Sequence, residues 1–167
     1  MRKKAEKTGI TENSVGVYAD GMKIVRRVDI RATPELVWDV ITNLRGAKDW
    51  APGFEDYPYI SEDWPKQGAE AVWRYHAGPM SIDFKLKMKE SERGGKLCIT
   101  NSGAFGEGVE NYRFQYADGV TIVDYETSSE PSLLGRLMMP LMKRKLLHQI
   151  DTTIANLKTY CERKVSP

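Results

Sequence analysis

Met80-Ser81-Ile82-Asp83-Phe84-Lys85-Leu86-Lys87-Met88-Lys89 alternates apolar and polar side chains along its whole length. In an extended chain successive side chains point to opposite faces, so this stretch has one dry face and one wet face. That pattern belongs to a half-buried antiparallel strand. A strand of a parallel sheet, covered on both sides, reads instead as an unbroken apolar run. The flanking residues extend the reading. Residues 71–77 predict a strand before it, and Ser91-Glu92-Arg93-Gly94-Gly95 turns the chain after it. Further strands are expected over 96–102, 109–116 and 120–127. Gly103, Gly106 and Gly108 bend or break the sheet before residue 109, and Ala117-Asp118-Gly119 makes the last hairpin. Consecutive hairpins build a meander, not a βαβ sheet.

Upstream, Ile24, Val25, Val28 and Ile30 make residues 22–30 the first full strand. Residues 14–20 suit a short edge strand, and 1–13 a flexible polar tail. Ala32-Thr33-Pro34-Glu35 is a helix start, with Thr33 as N-cap, Pro34 in the first position and Glu35 in the first turn. Val37, Val40, Ile41 and Leu44 follow at helical spacing. The helix ends near 43–46, and a second short helix or turn covers 47–50. Residues 51–69, with Pro52, Gly53, Pro58, Pro65 and Gly68, form a loop with at most one short strand, near 57–60.

From Ser132 the period is helical again. Pro140 has no N–H and disfavours helical backbone at Met139, so we expect a short helix before it and a long one over 141–163. At about 1.5 Å per residue the long one spans roughly 34 Å. Leu147, Ile150, Ile154, Leu157 and Cys161 form its inner stripe, widened by Met142, Leu146 and Tyr160. Lys143, Arg144, Lys145, Asp151, Lys158 and Glu162 fall on the wet side. Residues 14–167 read as one domain without internal repeats.

Ile30-Arg31-Ala32-Thr33-Pro34-Glu35-Leu36-Val37-Trp38-Asp39-Val40-Ile41, followed by Trp50-Ala51-Pro52, resembles the opening of the helix-grip superfamily. Its members include birch-pollen-allergen-like proteins, START lipid-transfer domains, and polyketide cyclase/dehydrase and lipid-transport proteins. The resemblance covers roughly residues 22–163. It implies an α+β fold: a curved antiparallel β-sheet wrapped around a long C-terminal α-helix, with two short helices after the first strand. A strongly bent sheet cannot close on a straight helix along its whole length. The gap that remains is where such folds hold a small hydrophobic ligand.

Composition limits the function classes. Hydrophobic residues make up 41% and charged residues 29% of 167, an ordinary globular balance. A net charge of +2 gives no basic face for nucleic acid. No apolar run reaches the roughly 18 residues of a membrane span. The basic start, Met1-Arg2-Lys3-Lys4, lacks the apolar segment of a secretory signal. Cys98 and Cys161 fit neither a zinc spacing nor a CxxC motif, and free thiols suit a reducing compartment. We expect a cytoplasmic protein without a cofactor, without nucleic-acid partners and without stable membrane insertion. Lys143-Arg144-Lys145 reads as a solvated helix face, or as a transient contact with anionic headgroups.

Strand alternation nominates the lining of the gap. Phe84 and Leu86 come from the clean strand, and Glu110, Tyr112 and Phe114 from the next long one. Tyr125 comes from the last strand. Trp73 and Tyr75 are the inward pair of theirs, unless Val72, Arg74 and His76 take that side. Met138, Met142, Leu146 and Ile150 face them from the helix, and the resemblance adds Trp50. Each aliphatic residue in this set equally suits a plain core. A buried tyrosine differs, because its hydroxyl needs a partner that a polar ligand can supply. Glu110 is the sharpest member. If Tyr112 and Phe114 point inward, it does too, and an acid in apolar surroundings holds its proton to higher pH. Otherwise Glu110 pairs with Arg74 or Arg113, or turns outward near the glycines.

His76 sits at a strand end before Gly78-Pro79, at a pocket mouth or simply on the surface, and His148 shares the wet helix face. Two isolated histidines make no metal site, and no nucleophile motif is present. Three readings follow. The chain is a carrier or sensor for a lipid, isoprenoid or polyketide-like aromatic. Alternatively it is a cyclase/dehydratase-type enzyme using Glu110, Tyr112, Tyr125 and Arg74, or an interaction module anchored by Tyr57, Tyr59 and Trp64. The oligomeric state stays open.

Overall fold

The computed structural model describes residues 10–18, 21–53, 56–77 and 80–165. Residues 1–9, the Gly78-Pro79 corner and the side chain of His76 lie outside these residues, so the expectations placed on them stay as they were. The described strands are β1 (Ile10–Tyr18), β2 (Gly21–Ile30), β3 (Asp56–Ile60), β4 (Glu70–Ala77), β5 (Met80–Glu92), β6 (Lys96–Gly103), β7 (Gly106–Ala117) and β8 (Val120–Pro131). They make one curved antiparallel sheet in the order β1-β2-β8-β7-β6-β5-β4-β3. The helices are α1 (Pro34–Thr42), a 3-10 turn (Leu44–Asp49) and α2 (Leu133–Val165). The architecture is the expected α+β grip, with α1 and the 3-10 turn after β2.

Local chemistry explains most of the boundaries. In β5, Ile82, Phe84, Leu86 and Met88 turn to the inside while Ser81, Asp83, Lys85 and Lys87 stay exposed. At the β7–β8 hairpin Asp118 has φ of 53° and Gly119 of 79°, the two positive angles that a tight two-residue hairpin requires. Thr33 Oγ1 accepts the Leu36 N–H at 3.3 Å, which caps α1 as its sequence predicts. Val37, Trp38, Val40 and Ile41 are then buried.

Several expectations need correction. The edge strand starts at Ile10, ahead of residue 14. Strand β8 runs to Pro131, past residue 127, because Ser128 and Ser129 pair with both β2 and β7. Their polar side chains hide a strand that is held by its backbone on two sides. Most consequentially, α2 is a single helix with Pro140 inside it. The hydrogen bond that Pro140 cannot donate would have ended at the Arg136 carbonyl. Both residues are exposed, so water can satisfy that carbonyl. The helix start is also firmly capped: Ser132 Oγ accepts the Gly135 N–H at 3.1 Å and the Ser132 carbonyl accepts the Arg136 N–H at 2.8 Å.

The core lies at one end of the grip. Ile30, Val37, Met88, Leu97, Val123, Leu157 and Cys161 are almost fully enclosed there. Thr121 Oγ1 donates to the Ala32 carbonyl at 2.6 Å, and the Arg31 N–H to Glu162 at 3.0 Å. Lys158 donates to the Asp29 carbonyl. Lys158 and Glu162, expected to face water freely, therefore fasten the end of α2 to the sheet. At the other end the first half of α2 contributes only Gly135 to the buried set.

Candidate functional site

The inward faces of the central strands fall into rows set by register. Arg26 of β2 stands opposite Tyr125 of β8, Tyr125 opposite Tyr112 of β7, and Tyr112 opposite Leu97 of β6. The next row runs Ile24, Thr127, Glu110, Ile99 and Met88. One row deeper, toward α1, Phe114, Val123 and Val28 are apolar and buried. The middle of an otherwise apolar face is thus polar: Arg26, Tyr125, Thr127, Tyr112 and Glu110.

Glu110 faces inward. Tyr112 Oη donates to Glu110 Oε2 at 3.1 Å. Burial pushes the Glu110 carboxyl above its ordinary value of 4.5, and the Tyr112 hydrogen bond offsets only part of that rise. The hydroxyls of Tyr112 and Tyr125 are raised well above 10.0 by burial first and by the Glu110 charge second. A hydrogen bond with Thr127 and the positive charge of Arg26 act in the opposite sense on Tyr125. The Tyr112 and Tyr125 rings lie 4.9 Å apart. From β3, Tyr57 is raised by the same two causes in the same order, which puts a third hydroxyl within electrostatic reach of Glu110. The arginine partners considered for Glu110 are placed elsewhere: Arg74 pairs with Asp83 through two bonds of 2.8 and 2.9 Å, and Arg113 is exposed.

Arg26 is buried and donates to Asp151 of α2 at 2.6 Å, with a second bond of 2.9 Å to the Val25 carbonyl. Asp151 was expected on the wet face. It is half exposed, yet it holds the one arginine on the inward face of β2. Arg26 was readable: the alternation of Met22, Ile24, Val28 and Ile30 puts it inward, and only its charge argued otherwise. Tyr57 carried no such signal, because it lies among prolines.

The remaining nominated residues take the following places. Trp73 stacks on Phe84 with ring centroids 5.0 Å apart and meets Tyr75 edge-on at 5.9 Å, an aromatic wall on β4 and β5. This selects Trp73 and Tyr75 over Val72 and Arg74 as the inward pair. Leu86, Trp50 and Phe114 are buried in the core cluster, and Ile150 packs against it. Met138 and Leu146 are half-buried on α2, and Met142 is exposed. Gln149 of α2 donates to the Pro52 carbonyl at 3.0 Å, bringing the loop after the 3-10 turn to the helix beside Tyr75.

An open depression of about 540 Å³ lies largely on the outer side of the sheet, bordered by Tyr59, Lys85, Lys87, Thr100, Glu107 and Glu130. Mixed charges make it a poor seat for an apolar molecule. The inward polar row has apolar walls on either side. A neutral Glu110 and the tyrosine hydroxyls can donate hydrogen bonds, and the ionised carboxylate can accept them. Among the described residues no group of three His, Cys, Asp or Glu side chains is placed to hold a metal ion, and no helix is long and apolar enough to cross a membrane.

Solved structures share this architecture. The crystal structure of TTHA0849 from Thermus thermophilus matches with a TM-score of 0.66 at 15% identity, covering 86% of this chain and 99% of that one. CV1439 from Chromobacterium violaceum matches at 0.65 and 13% identity, covering 84% and 96%. Ms6760 from Mycobacterium smegmatis matches at 0.63 and 13%, covering 90% and 96%. Such low identities carry the fold alone. No curated protein matches the chain. The family model described as "Polyketide cyclase / dehydrase and lipid transport" matches residues 22–162, so the chain belongs to the polyketide cyclase/dehydrase and lipid transport family.

Proposed function

We propose that the chain binds a small hydrophobic molecule, a lipid, isoprenoid or polyketide-like aromatic, between the sheet and α2, and serves as its carrier or sensor. The supporting observation is the Glu110–Tyr112 pair in the middle of the inward face. A filled apolar core gains nothing from an acid there, because burying a carboxyl is costly unless something receives it. A ligand with an apolar body and one oxygen function matches the arrangement. The oxygen meets Glu110, Tyr112 and Tyr125, while Trp73, Tyr75, Phe84 and Leu86 pack one side of the body. Met138, Leu146 and Ile150 pack the other, and Trp50 and Phe114 bound the deep end. The test is mass spectrometry of the purified protein, native and then denatured, with organic extraction of what is released. A stoichiometric lipophilic passenger, lost in Leu86→Trp, is the expected result. A passenger-free protein that also takes up no lipophilic dye would overturn the reading.

A second reading is enzymatic. Glu110 keeps its proton to higher pH than a surface glutamate, so it can protonate a carbonyl or a departing hydroxyl of a bound polyketide-like chain. Glu110→Gln separates the two. A carrier variant holds the same passenger as the wild type; an enzyme variant accumulates an unconverted compound of different mass. The interaction-module reading has less behind it. Tyr59 is exposed, but Trp64 is tied to the Thr42 carbonyl at 2.9 Å and Tyr57 packs against the core cluster.

A further inference from the structure

The first half of α2 turns a run of leucines outward. Leu133 is 87% exposed, Leu137 74% and Leu141 78%, with Leu134 and Met142 also exposed. At 3.6 residues per turn, Leu133, Leu137, Leu141, Arg144 and His148 fall within an arc of about 80°, and Leu134 and Lys145 lie at its edge. The same face is therefore apolar toward the start of the helix and basic further along. From Pro131 to Ile150 the sequence contains no Asp or Glu, whereas Arg136, Lys143, Arg144 and Lys145 are all cationic. Among the described residues Lys143, Arg144 and Lys145 make no ion pair, while cations on the strands and at the far end of α2 do. In a chain whose net charge is only +2, this concentration is local.

Clustered exposed leucines mark a contact surface. A leucine tip followed by cations on one face matches a boundary between acyl chains and anionic headgroups. A second copy of the chain suits it less, because this segment offers no acid to answer a partner's cations. Nucleic acid would use the cations and leave the leucines in water. We propose that the first half of α2 docks on an anionic lipid bilayer, with Leu133, Leu137 and Leu141 entering the headgroup–acyl boundary and Arg144 and Lys145 meeting lipid phosphates. The helix is held rigidly for this by its Ser132 cap and by Gly135 seated on the Phe105 carbonyl. The docking does not depend on whether the interior holds a ligand.

The experiment is sedimentation of the full chain with vesicles of phosphatidylcholine, alone or mixed with phosphatidylglycerol. Strong binding to the mixed vesicles, weak binding to the neutral ones and release by salt are expected. The pair Leu137→Asp/Leu141→Asp and the pair Arg144→Glu/Lys145→Glu should each lower partitioning at least tenfold, since each cation contributes roughly fivefold. Unchanged circular dichroism would show that both pairs still fold. Tyr116→Ser, exposed on β7, should bind as the wild type does. Equal binding to both vesicle types, or indifference to both pairs, would overturn the proposal. So would a dimer in light scattering that the leucine variant abolishes, without vesicle binding.

Discussion

Tyr112 Oη stands 3.1 Å from Glu110 Oε2, two residues away on the same face of β7. A strand puts alternate side chains on one side, so the acid and its hydrogen-bond donor come from a single short piece of backbone. The arrangement is rigid because β6 and β8 hold β7 on both edges. Burial raises both the carboxyl and the phenol above their ordinary values.

Glu110 consequently makes stability depend on pH in a defined sense. Its folded-state value lies above the ordinary 4.5. Its contribution to stability is fully present below 4.5 and is lost as pH rises through the folded value, because the unfolded chain ionises first. Glu110→Gln removes that loss while keeping an acceptor for Tyr112. Urea unfolding should show the variant gaining on the wild type between acidic and neutral pH. A difference that stays flat with pH would mean that Glu110 is hydrated in the folded state.

Arg26 and Asp151 link β2 to α2 across the interior. Asp151→Ala should cost about 1–3 kcal/mol, the lower part of that range being expected because Asp151 is half exposed. The double variant Arg26→Met/Asp151→Ala should recover part of the loss, since no buried guanidinium then lacks its carboxylate. A cycle showing simple additivity would mean that the pair is not coupled.

The sheet and its inward face were legible because period-two alternation is a strong signal: β5 reads directly, and Glu110 follows from Tyr112 and Phe114. The same rule applied to β2 would have put Arg26 inward, but its charge concealed the fact. Asp151 could not be found, because on α2 it sits beside solvated residues and only the folded chain brings it to Arg26. Tyr57 was hidden by neighbouring prolines. At Pro140 a local rule lost to context, because a helix capped by Ser132 tolerates one missing bond on its wet side. Serines at the end of β8 masked a strand that backbone pairing sustains.

The two cysteines should differ sharply in reactivity. Both thiols are free. Cys161 is enclosed between α2 and the core, and burial pushes its thiol up to about 12. Cys98 on β6 is half-buried and raised more modestly, by burial first and Glu90 second. Ellman's reagent at mildly alkaline pH should titrate Cys98 slowly in the native protein and reach Cys161 only after denaturation. Rapid modification of both thiols would indicate that the end of α2 opens readily.

Gly135 sits in the first turn of α2, where alanine ordinarily stabilises a helix by about 1 kcal/mol over glycine. Here a methyl group would press on the carbonyl oxygen of Phe105 and approach Pro131 Cβ at 3.0 Å. The Phe105 oxygen cannot retreat freely, because it also accepts the Ser132 N–H at 2.9 Å. Relief would have to come from lifting the start of α2 off the β6–β7 turn. Gly135→Ala should therefore destabilise the fold by about 1–2 kcal/mol in urea unfolding, against the intrinsic preference. It should also speed amide hydrogen exchange in the first turns of α2 while leaving Ile154 and Leu157 protected. A stabilised variant would mean that the helix start is not seated on Phe105, and that the leucine face is not held in a fixed position.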